Sequence, residues 1–166
     1  MMMGMSLVIF TLLHVLISLI GIVAGLIAAI GWLKSDPSRV STAIFLATTI
    51  LTSVTGFLFP APKLLPSHIV GLISLVLLVL ATFAFYGRHL LGIWRPIYTI
   101  TATLSLYLNV FVLGIQAFLK IPLLQSWAPT QTEPVFLVVQ GAAFLLFALL
   151  AILTTARFRP TQLATL

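Results

Sequence analysis

Five long runs of mostly apolar residues dominate this chain: Ser6 to Leu33, Ser41 to Phe59, Ser67 to Tyr86, Trp94 to Leu119 and Pro134 to Ala156. A helix needs about 20 apolar residues to cross a hydrocarbon core of roughly 30 Å, and every run is of that order. The connectors between them are too short to hold a soluble domain. Of the 166 residues 61% are hydrophobic and only 6% charged, a balance that no soluble domain of this size could bury around one core. The sequence therefore predicts an all-α, polytopic membrane protein, a single transmembrane domain over residues 1–166 built as a five-helix bundle. The first run has no basic segment before it and continues for about 28 residues without a charge, so it reads as a retained span rather than a cleaved signal.

Basic residues set the expected orientation, because short loops rich in Lys and Arg stay in the cytoplasm. Lys34 and Arg39 fall between spans one and two, Arg88 and Arg95 between three and four, and Arg157 and Arg159 after five. Lys63 and Lys120 fall on the other side. This division predicts an N-terminus outside and a C-terminus inside. Trp32, Trp94 and Trp127 all fall where an interfacial aromatic belt would lie. The net charge of +6 is thus a topology signal; the charges are scattered at loop ends and form no basic face for nucleic acid. His89, beside Arg88, reads as an anchor at anionic lipid heads.

The connectors carry stop and start signals. Asp36 is expected to cap span two with Pro37 in its first turn, and Gly87 to end span three in a left-handed conformation. Before span five, Thr130 with Glu133 matches a capping box, and Thr132 followed by Pro134 fits equally well. No internal repeat is visible.

Tyr98, Ser105, Asn109, Gln116 and Lys120 are spaced seven, four, seven and four apart, which returns to one face of the fourth helix at every step. Such a stripe must face protein or water. By depth along their spans, His14, His68, Asn109, Gln116 and Gln140 all belong to the outer half of the bundle, with Thr52, Ser53 and Thr55. His14, Ser18, Gly21, Gly25 and Ala28 share one face, and small residues at that rhythm let another helix approach closely. A polar pocket open to the outside is expected, walled by His14, His68, Asn109, Gln116 and Gln140, with Lys63, Lys120 and Glu133 near its mouth. Polar groups in membrane helices also bond neighbouring helices at about 1 kcal/mol or less each, which accounts for the span-two threonines.

Three functions fit these residues. The first is binding or permeation of a small ligand, a polar solute or a quinone-like headgroup, with His14, Asn109 and Gln140 inside and Gln116 and His68 at the entrance. The second is a redox component in which His14 or His68 ligates b-type haem. The third is an accessory subunit, or a homo-oligomer, joined through the Gly21/Gly25 face. Catalysis has little to work with: the only carboxylates are Asp36 and Glu133, both at loop ends, and there is no metalloprotease motif, triad or P-loop. No cysteine is present, which removes thiolate metal sites and iron–sulfur ligation. The N-terminal methionines, at positions 1, 2, 3 and 5, are the one soft-ligand cluster, a weak suggestion of copper.

The stretches VTGFLFP at 54–60, LPSHIVGLISL at 65–75, YLNVFVLGIQAFLKIP at 107–122 and APTQTEP at 128–134 resemble the hallmark segments of a family of small, uncharacterised bacterial inner-membrane proteins. The likeness runs from Gly31 to Pro160. It implies a bacterial inner-membrane location, and it carries no activity, substrate or cofactor to any residue.

Overall fold

The computed structural model describes residues 6–60 and 66–160, and every regular element in them is helical. Helix α1 is Leu7–Leu33, α2 is Arg39–Gly56, α3 is Pro66–Thr82, α4 is Trp94–Lys120, α5 is Pro122–Trp127 and α6 is Pro134–Arg157. A π-helical turn, Phe83–Gly87, continues α3. Four helices are long and apolar enough to cross a membrane: α1, α3 with its π turn, α4 and α6. Their outward faces are lined with exposed Leu, Ile, Val and Phe, as lipid contact requires.

The sequence predicted five such helices, and α2 is the difference. It has 18 residues, begins on Arg39 and carries seven hydroxyl side chains, which lower its hydropathy. Three of those hydroxyls are turned onto the helix itself: Thr48 donates to the Ile44 carbonyl at 2.6 Å, Thr52 to Thr48 at 2.9 Å and Thr55 to Leu51 at 2.7 Å. The threonines read as links between helices therefore satisfy themselves first.

Helix α4 touches every other helix; α1 packs on α2, α2 on α3, and α6 on α4 and α1. That central position explains why the polar stripe falls on α4, the helix with the least lipid to face. At one end Trp32, Phe45, Phe85, Tyr98 and Phe158 pack together, with Trp32 and Tyr98 rings 5.3 Å apart and Phe85 and Tyr98 rings 5.1 Å apart. The Thr42 and Tyr98 hydroxyls share a 3.2 Å bond, and Thr42 Oγ1 also lies 3.0 Å from the Pro37 carbonyl. The Ser35 hydroxyl ties the same end to the C-terminal segment, donating to the Arg157 carbonyl at 2.7 Å and accepting from the Arg159 N–H. Lys34, Arg39, Arg88, Arg95, Arg157 and Arg159 all lie around this aromatic end.

Several local expectations are corrected. Asp36 does not cap α2: its carboxylate accepts from the Ser38 N–H at 2.9 Å, closing a turn before the helix, and Ser38 is the N-cap with φ of 44° and no side-chain cap bond. Span three does not end on a left-handed Gly87; the chain leaves through the π turn, and the positive φ values fall on His89, Leu90 and Gly92. The connector before span five contains α5, a six-residue helix with Pro122 in its first turn and no buried residue. Helix α6 starts at Pro134 with Glu133 as N-cap, and neither threonine caps it with its side chain. Instead Glu133 reaches back and organises the preceding turn, as described below.

Candidate functional site

The end opposite the aromatic cluster gathers the first turns of α1, α3 and α6 with the last turns of α2 and α4. The buried and half-buried members of the expected pocket are spread over four helix interfaces. His14 occupies the α1–α2 interface: Nδ1 is 2.8 Å from the Thr55 hydroxyl, and the ring meets Phe59 edge-on at 5.1 Å, with Phe10 against the other side of Phe59 at 5.0 Å. His68 occupies the α2–α3 side, its ring stacked on Phe57 at 5.5 Å. Gln140 is buried between α4 and α6, where its amide donates to the Phe111 carbonyl at 3.1 Å and packs against Gly114.

Asn109 and Ser18 join α4 to α1. The Ser18 hydroxyl donates to Asn109 Oδ1 at 2.8 Å. Asn109 is 8% exposed, and its Nδ2 has no hydrogen-bond partner among the described residues; the same holds for the buried Thr49 hydroxyl. Both atoms face the Cα of Gly21, as does Thr48 Oγ1: a Cβ there would meet Thr48 Oγ1 at 2.9 Å, Thr49 Oγ1 at 3.0 Å and Asn109 Nδ2 at 3.5 Å. Gly21 thus lets three polar groups from two helices converge on α1 at mid-depth.

The stripe on α4 is only partly internal. Tyr98, Ser105 and Asn109 are buried, whereas Gln116 and Lys120 are exposed. Thr42 and Tyr98 mark a common level on two helices running in the same direction. From that level α2 ends about where α4 reaches Val112, so Gln116 and Lys120 project past the end of α2. Lys63 and the N-terminal methionines lie outside the described residues.

Glu133 stands at the same end and builds a loop. Its Oε1 accepts from the Thr130 N–H at 3.1 Å and the Thr130 hydroxyl at 2.8 Å, and its Oε2 from the Thr132 N–H at 3.0 Å. Gln131, held at φ of 62°, donates its side-chain amide to the Ile115 carbonyl at 3.0 Å and pins the loop to α4. Desolvation raises the Glu133 carboxyl pKa, but the bonds from Thr130 and Thr132 outweigh it and hold the group below its ordinary value. A depressed folded-state pKa means that this contribution is complete above the unfolded value, about 4.3, and is lost as the pH falls through the folded one. Amide exchange of residues 130–133 is expected to accelerate below about pH 4 relative to the helices. In Glu133→Gln that acceleration should vanish; a loop equally protected at every pH would show that the carboxylate does not hold it.

Thr55 decides the chemistry of His14. Its hydroxyl lies 2.7 Å from the Leu51 carbonyl, and when its one proton goes there Thr55 accepts from His14. In that arrangement the neutral imidazole carries its proton on Nδ1 and presents Nε2 as an acceptor. The spacing of α1 had pointed His14 inward, and Thr55 lay on the face already singled out; which nitrogen carries the proton was not legible.

A bis-histidine haem does not fit this arrangement. His14 packs on Thr55 and Phe59 and His68 on Phe57, so the last turn of α2 stands between the two rings. The Gly21/Gly25 face is filled by α2 and α4: Cβ atoms there would meet Thr48 and Thr49 at Gly21, and Leu106 and Phe45 at Gly25.

No protein-family model, curated protein or solved structure matches this chain.

Proposed function

We propose that this protein is a five-span inner-membrane bundle, α2 included, that binds a small hydrogen-bond-donating ligand at its periplasmic end, with the hydroxyl of a quinol-like headgroup on His14 Nε2. The observation that carries this reading is the Thr55 contact: with the Thr55 proton on the Leu51 carbonyl, His14 Nδ1 donates to Thr55 and Nε2 is left as the acceptor. Six basic residues gathered at the aromatic end support a cytoplasmic assignment for that end, and so a periplasmic one for His14. His14 lies about 10 Å along α1 from Leu7 at 1.5 Å per residue, a depth suited to a headgroup whose tail stays in the bilayer. Phe10 and Phe59 give an aromatic ring an edge-to-face neighbour. One turn further along α1, Ser18 and Asn109 form the polar floor. Binding is favoured over permeation because the other end is packed with fully buried Trp32, Phe45, Tyr98 and Phe158.

The acceptor makes the reading directional: a quinol can donate to Nε2 and a quinone cannot. Losing one such bond costs about 1 kcal/mol, so the oxidised form should bind roughly five- to tenfold more weakly. The test is anaerobic thermal unfolding of the detergent-purified protein titrated with a short-chain quinol and the matching quinone. The quinol should stabilise the wild type at lower concentration than the quinone. His14→Phe keeps the aromatic contact to Phe59 and strands no donor, so it should fold normally and lose the quinol response. An equal response in His14→Phe overturns the proposal. So does a Soret band in the purified protein that disappears in His14→Ala, which would assign Nε2 to iron.

A further inference from the structure

A groove of about 520 Å³ runs along the lipid-facing side of the α1–α2 interface at the aromatic end. Leu19, Val23 and Ile27 of α1 form one wall, Val40 and Ile44 of α2 the other, and the buried Ala24 forms the floor. Its lining is almost wholly apolar, and its walls are exposed on the outside of the bundle. From Leu19 to Ile27 it covers about 12 Å of helix. That is close to the hydrocarbon of one leaflet, half of roughly 30 Å, and too short for a neighbouring transmembrane helix, which would need a channel along the full depth. Exposed Arg39 adjoins Val40 at one end of the groove, and exposed Lys34 follows about two turns beyond Ile27 on the same end of α1. The one carboxylate nearby, Asp36, already accepts the Ser38 N–H.

We propose that this groove holds an acyl chain of one anionic phospholipid of the cytoplasmic leaflet, its phosphate met by Arg39 and Lys34. An acyl chain matches the length and apolarity of the groove, and the two cations stand where the headgroup must emerge. The site is separate from His14; it rests on the chain lying in a membrane, and its leaflet on the orientation proposed above. Each Lys or Arg near an anionic surface is worth about a fivefold change in binding, so the pair should give phosphatidylglycerol roughly a 20-fold preference over phosphatidylcholine.

The test is native mass spectrometry of the full chain released from detergent, titrated with the two lipids carrying identical long chains. The wild type should retain one phosphatidylglycerol far more strongly than one phosphatidylcholine. Arg39→Gln with Lys34→Gln should erase the difference, and Val23→Trp, which fills the groove, should lower retention of both. A preference that survives loss of both cations overturns the proposal, as does undiminished retention in folded Val23→Trp. If Val23→Trp does not fold, chain length decides on the wild type: phosphatidylglycerol with short chains retained as well as with long ones overturns the groove assignment. A shift from monomer to dimer on lipid removal would assign the groove to a second copy and likewise overturn it.

Discussion

Trp32→Ala is expected to remove about 3–5 kcal/mol of stability, the range for deleting a fully buried large aromatic side chain. Trp32 is completely buried, with Tyr98 at 5.3 Å and Phe45 at 6.5 Å between ring centres. Through Tyr98 it also supports Phe85 and Phe158, so α1, α2, α4, the π turn and the segment after α6 all meet around it. Phe45, Tyr98 and Phe158 are themselves fully buried and anchored on different segments, so the vacated space cannot collapse easily. For a chain of this size the loss corresponds to a fall in melting temperature of about 6–20 °C, measurable in detergent by near-ultraviolet circular dichroism. A fall under about 2 °C would mean that the aromatic end does not hold the bundle together.

The second large effect is expected at Gly25. A Cβ there would lie 2.6 Å from Leu106 Cδ1 and 2.8 Å from Phe45 Cδ2, and both of those side chains are fully buried. Alanine should cost about 1–3 kcal/mol, the usual range for overpacking. Leucine at the same position cannot be accommodated without lifting α1 from α4 and α2, and should leave no folded protein to purify. Gly141 supplies the control, because nothing lies within 4 Å of a Cβ built on it. Gly141→Leu should stay within about 0.5 kcal/mol of the wild type. If Gly25→Leu purified as a stable monomer with the wild-type melting curve, the close approach of α1 to its neighbours would be refuted.

Hydropathy made the helices of this protein legible, because lipid-facing runs of Leu, Ile and Val have few alternatives to a helix. It was less informative for α2, whose seven hydroxyl residues, three of them bonded back to their own helix, blur the apolar signal without breaking the fold. Helical spacing correctly set Gly21 and Gly25 on a close-packed face. It did not reveal which helices would fill that face, since a wheel gives direction and no neighbour. The same limit applies to the polar residues: His14, Asn109 and Gln140 all turn away from lipid, but toward different interfaces, while Gln116 and Lys120 escape burial because α2 is shorter than α4. Short-range signals failed where geometry at the helix ends prevailed. Asp36 bonded a turn in place of a helix, and the π turn did the work expected of a left-handed glycine.

The packed aromatic end also has an electrical consequence. With Trp32, Tyr98 and Phe158 closing that side, a charge can reach His14 only from the opposite face, entering about 10 Å of a core roughly 30 Å thick. It would therefore cross about a third of the transmembrane potential, worth about 0.8 kcal/mol per 100 mV for one elementary charge. Ligand exchange at His14 as proposed would accordingly be only weakly sensitive to membrane voltage, and insensitive for a neutral headgroup that exchanges no proton, so such a site would fill and empty alike in energised and de-energised membranes.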